Sequence, residues 1–136
     1  MVLELLLLLF ILFLVTANHN RQQSKLDELN KWAHKIIRKA GVSPIPSFSL
    51  YETHDYPRTH NRKEIYIVLK DKEGRYYDNE TLIGVLSHEL AHILSGAGDE
   101  HGKEFEDWET NLLEVATELK LYSSNGIDSD YPCFRE

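Results

Sequence analysis

The sequence predicts an α+β domain. It has an N-terminal helix, a small, mostly antiparallel three-stranded sheet, a second helix and a closing C-terminal helix. Three observations carry this. Apolar residues recur at helical spacing over 26–40, 82–93 and 105–119. Between the first two stretches, Glu64-Ile65-Tyr66-Ile67-Val68-Leu69 is β-branched and aromatic, which suits a strand. With 136 residues, the chain has room for one core of ordinary size.

The elements follow in order. Fifteen of the first 17 residues are apolar, with an unbroken run from Leu5 to Val15 and Glu4 before it. Two readings are open for this segment, a membrane anchor and a cleaved signal peptide. Val15 and Ala17 offer small residues at a cleavage position, but a signal expects a positive leader and Glu4 supplies the opposite. About 17 residues is the short limit for a span. Arg21, Lys25, Lys31 and Lys35 follow it, which favours an anchor with the body on the cytoplasmic side.

Residues 18–23 are polar and read as a linker. Ser24-Lys25-Leu26-Asp27 has a capping-box pattern. Leu26, Leu29, Trp32, Ala33, Ile36, Ile37 and Ala40 then form one helical stripe, stopped by Gly41 and Pro44. A strand is expected at about 47–52, around Phe48 and Leu50. The polar stretch 53–63, with Pro57, reads as a loop. Strand 64–69 is followed by the turn Asp71-Lys72-Glu73-Gly74, after which Arg75-Tyr76-Tyr77 is expected to pair back as the third strand. A helix from Asp78 or Asn79 to about Ser95 carries Leu82, Leu86, Leu90 and Ile93 on one stripe, and Gly96 ends it. The last helix, about 103–122, buries Phe105, Trp108, Leu112, Ala116 and Leu119. Residues 123–136 are polar and read as a flexible tail. The domain proper is therefore 24–122.

Composition narrows the function. The net charge is −7, from 15 Lys and Arg against 22 Asp and Glu. Residues 18–75 carry a net +5, and residues 76–136 a net −11. An acidic chain is a poor generic coat for nucleic acid, because phosphate contacts need clustered cations. Nucleic acid as a partner therefore has only the local support of Lys31, Lys35, Arg38 and Lys39, which read more simply as a solvated helix face. The single cysteine, Cys133, excludes an intramolecular disulfide scaffold.

One motif carries chemistry. His88-Glu89-Leu90-Ala91-His92 has the form H-E-x-x-H. Residues four apart on a helix differ by about 40° around its axis, so both imidazoles point to one spot and can share a Zn²⁺ ion. Glu89 lies on the same turn as a candidate base for a water acidified by the metal. Because the motif lies within a strongly apolar helix, a His and a Glu buried there need partners. A catalytic zinc takes three protein ligands. His101 is the preferred third, placed after the glycine-rich Ser95-Gly96-Ala97-Gly98 and beside Gly102; Glu114 and Glu118 are the alternatives. One carboxylate among Glu100, Glu104, Asp107 and Glu109 is expected to accept a hydrogen bond from a ligand imidazole. His19, His34, His54 and His60 read as surface residues. Strand 64–69 is read either as an edge able to receive an extended substrate or as an ordinary central strand.

With His101-Gly102-Lys103-Glu104-Phe105 following at this distance, and Trp108 beyond, the chain resembles the WLM and SprT-like zinc metallopeptidases. The resemblance covers about 24–122. It implies His88, His92 and His101 as zinc ligands, Glu89 as catalytic base, and Phe105 as a core residue beneath the site. It also implies a protein or peptide substrate; members of such families include proteases that cut DNA-crosslinked proteins. The expectation is a membrane-associated zinc endopeptidase. Its rivals are a catalytically silent zinc-binding module and a soluble protease of DNA-crosslinked proteins.

Overall fold

The structure is a computed structural model that describes residues 1–96, 101–123 and 127–132. It is α+β as expected, with three helices and a three-stranded sheet. Helix α1 spans Val2–Lys39, followed by strands β1 (Ser49–Glu52), β2 (Arg58–His60) and β3 (Glu64–Ile67), and by helices α2 (Asn79–Ser95) and α3 (Lys103–Glu118).

Helix α1 joins two segments that the sequence separates. The polar residues 18–23 are helical, and no break precedes Ser24, so Ser24 is not a cap. Asn18 and Gln22 find partners in the body, Lys70 and Glu52, which hold this stretch in the helix. The apolar side chains from Met1 to Val15 stand exposed, while Leu29, Ala33, Ile36 and Ile37 are buried in the core. Among the described residues, α1 is the helix long and apolar enough to cross a membrane.

The sheet has the order β1-β3-β2 and is mixed rather than mostly antiparallel. β3 is central, pairing in parallel with β1 through Leu50–Ile65 and in antiparallel with β2 through Thr59–Ile65. The third strand is thus Arg58–His60, inside the stretch read as a loop. Residues 75–77 contribute only an isolated bridge, Lys70 to Tyr76. β2 escapes the hydrophobic pattern because it is an edge strand whose Thr59 faces α2 and not an apolar core. The β2–β3 turn places Asn61 (φ 52°) and Arg62 (φ 56°) in the left-handed region, as tight hairpins require.

Helix α2 is the centre of the molecule. Asp78 caps it, its side chain accepting from the Thr81 amide at 2.7 Å, and Gly96 at φ 68° closes it. Leu82, Ile83, Leu86, Leu90 and Ala91 are all buried, against α1, β3 and α3. Arg62 reaches from the hairpin to donate to the Ile93 carbonyl at 3.2 Å, satisfying one of the carbonyls left over at the helix end.

The described part of the tail is not loose. Tyr131 is 1% exposed, its hydroxyl donating to the Val68 carbonyl at 2.8 Å and accepting from the Val68 amide at 2.9 Å. Ile127 packs over Gly84 so closely that a Cβ there would lie 2.7 Å from its Cγ1. Ile127 and Tyr131 thus extend the core of this small domain from a stretch whose composition looks polar. Cys133 lies outside the described residues.

Candidate metal centre

The site is assembled from α2 and the start of α3. His88 and His92 project from successive turns of α2, and His101 enters from the residue before the N-cap Gly102. One nitrogen from each ring lies within 4.8 Å of the others. His92 Nε2 and His101 Nε2 are 3.2 Å apart. Two nitrogens on one tetrahedral zinc, at about 2.0–2.1 Å each, stand roughly 3.3 Å apart, so this spacing fits a shared ion. The three histidines could hold a metal.

The ring of Phe105 forms the floor. It is 2% exposed, and its centroid lies 4.9, 4.5 and 4.7 Å from those of His88, His92 and His101. It fixes three imidazole planes at once. His92 is buried, His88 half-buried and His101 exposed, which orients the cluster from core to solvent.

Glu109 is the carboxylate that meets one of the three imidazoles, bonded to His88 Nδ1. That contact leaves His88 Nε2 for the cluster and holds the Glu109 carboxyl below the ordinary carboxylate range. A sequence signal for it exists: Glu109 lies four residues after Phe105, hence on the same helix face. Asp107 instead pairs with Lys103 at 3.0 Å, and Glu104 is exposed. Glu100 lies outside the described residues. Of the alternative third ligands, Glu118 pairs with Lys39 at 3.6 Å and Glu114 is exposed.

Glu89 is 3% exposed, and Thr59 on β2 donates to its Oε2 at 2.6 Å. Nothing in the sequence marks Thr59, a lone threonine in a polar stretch. A cavity of about 400 Å³ lies over this contact, with Tyr56 to His60 on one wall and Glu89, His92 and His101 on the other. β3 is central and cannot offer an edge; β2 is the strand beside the cavity. His60, exposed as expected, also lines the site, and the half-buried His34 stacks on Phe48 at 5.0 Å. Arg58 on the same wall is held by Asp55 at 2.9 Å and lies over the Tyr66 ring at 4.4 Å. Asp55 is correspondingly acidic, lowered to about 2 chiefly by the Thr53 hydroxyl and further by the Tyr56 amide and Arg58.

An α+β domain whose H-E-x-x-H helix and a later histidine make a metal-capable cluster is consistent with a metallopeptidase-type protein. The chain belongs to the SprT-like family, whose model matches residues 13–124. It is also 41% identical over 69 residues to an uncharacterized protein, 136R, of Invertebrate iridescent virus 6. That match takes in 47% of this chain and spans only 37% of the viral protein's length. No solved structure matches the chain significantly.

Proposed function

We propose that the protein is a membrane-associated zinc metalloendopeptidase, with His88, His92 and His101 as ligands and Glu89 as catalytic base. The observation that carries this reading is the buried Glu89 carboxylate on the same helical turn as two of three converging histidines. A set of three imidazoles suits zinc better than calcium or magnesium, which prefer oxygen ligands. A bound zinc supplies Lewis acidity, polarising a carbonyl and acidifying water.

The chain's own residues do the rest. Glu109 fixes the tautomer of His88, so that Nδ1 carries the proton and Nε2 the lone pair. The Glu89 carboxylate takes a proton from the attacking water and returns it to the departing amine nitrogen, while Thr59 holds it in place. The edge strand β2 forms the wall along which an extended peptide can lie. The apolar face of α1, exposed along its first 15 residues, supports insertion in a bilayer, and the basic residues after it support a cytoplasmic body.

Replacing Glu89 by Gln is the direct test. Cleavage of a protein substrate should be lost while the zinc content, measured by elemental analysis, stays at that of wild type. Zinc-loaded wild type that cuts no protein would leave a silent metal-binding module. Recovery in a soluble nuclear fraction would favour the protease of DNA-crosslinked proteins.

A further inference from the structure

We infer that the body is held at a fixed height above the bilayer, and that its site takes the juxtamembrane segments of other membrane-embedded proteins, cutting them about 15 Å from the surface. The inference rests on the anchor and peptidase readings above and adds a substrate class to them.

The basis is the absence of a joint. α1 runs from Val2 to Lys39 without a break, so the segment that would lie in the bilayer and the segment packed in the core are one rod. Three contacts then fix the body along that rod. Lys70 Nζ donates to Asn18 Oδ1 at 3.3 Å, Gln22 Nε2 donates to Glu52 Oε1 at 3.1 Å, and His34 stacks on Phe48 at 5.0 Å. Asn18 is the first residue after the largely apolar segment 1–17. Because residue 48 lies beside 34 and residue 52 beside 22, β1 runs down the helix toward the membrane end.

The height of the site follows from the register. Leu50, midway between Phe48 and Glu52, is level with roughly residue 28 of α1, about 16 Å of helix beyond Ala17 at 1.5 Å per residue. Leu50 pairs with Ile65, and Ile65 with Thr59, which contacts Glu89. An extended chain rises about 3.3 Å per residue, so such a site meets a neighbouring protein about five residues outside the bilayer. A body on a flexible tether would sample many heights, whereas a rigid one offers its site at a single distance, where stalks rising from the same membrane are concentrated.

The test uses the full chain in phosphatidylcholine vesicles with a single-pass reporter bearing an unstructured, uniform stalk, its cuts mapped by mass spectrometry. A polar helical heptad inserted between Ala17 and Asn18 raises the body by about 10 Å and nearly preserves its facing, since seven residues are close to two turns. The cuts should move outward by about three residues. Cuts that stay where wild type makes them overturn the proposal. Energy transfer from a dye on Lys72→Cys, in a Cys133→Ser background, to headgroup-labelled lipid should fall on insertion; unchanged transfer overturns the proposal without reference to activity. Failure of the underlying readings looks different. No cut by metal-loaded wild type at any stalk length, with energy transfer behaving as expected, overturns the peptidase reading and the substrate class with it. Recovery of wild type in the soluble fraction overturns the anchor and, with it, the fixed height.

Discussion

The Thr59 hydroxyl lies 2.6 Å from Glu89 Oε2 and 3.2 Å from the Glu89 carbonyl oxygen. It joins the edge strand to the carboxylate on α2 that we propose as the base. Thr59→Val should lower kcat by roughly 10- to 100-fold, corresponding to a hydrogen bond to a charged group of about 1.5–3 kcal/mol. KM and zinc content should hardly move, and Thr59→Ser should recover most of the rate. A Thr59→Val variant as fast as wild type would show that the hydroxyl plays no part in the reaction.

Glu109→Ala removes the partner of His88 Nδ1. Zinc affinity should fall about 10- to 100-fold, measured by competition with a chelator, because the imidazole loses its fixed tautomer and orientation. Unchanged affinity would mean that the carboxylate serves only the fold.

Tyr131→Phe deletes a hydroxyl that satisfies both backbone groups of Val68. Since Val68 is buried, unfolding should become easier by about 1–3 kcal/mol, read from denaturant titration in detergent. Activity per folded molecule should be unaffected. A neutral result would show that the hydroxyl adds nothing beyond the packing of the ring.

Asp55 gives a pH prediction with a definite sign. Its folded pKa lies near 2, against 3.8 for the ordinary side chain. The unfolded chain therefore binds the proton more readily, and the contribution of Asp55 is complete above pH 3.8 and lost as the pH falls through 2. Wild type and Asp55→Asn should differ in thermal stability at neutral pH and converge toward pH 2. A constant difference across that range would exclude the carboxylate as the cause.

Much of this was legible in the sequence where one periodicity served one purpose. α2 is legible because it is buried nearly all round and is correspondingly rich in apolar residues, and His88 and His92 show their pairing because helical spacing is fixed. β2 did not show, because Thr59 and its neighbours answer to the cavity and not to a core, leaving no alternation to read. The continuity of α1 was hidden by the polarity of 18–23, which reports solvent exposure and contacts with Lys70 and Glu52 instead of a chain break. Tyr131 gives no signal for the opposite reason, since it stands in a short, largely polar stretch with no periodicity to place it.

The β2–β3 hairpin grips α2 twice, Thr59 at Glu89 and Arg62 at Ile93. The two holds are four residues apart, one turn of helix. A strand pinned at two points on one face can neither roll nor slide along its helix, so strand and helix behave as a single vice jaw. A peptide seated against β2 would therefore meet a wall whose distance from Glu89 is already set, and the register of the scissile bond would be chosen by the hairpin before any chemistry begins.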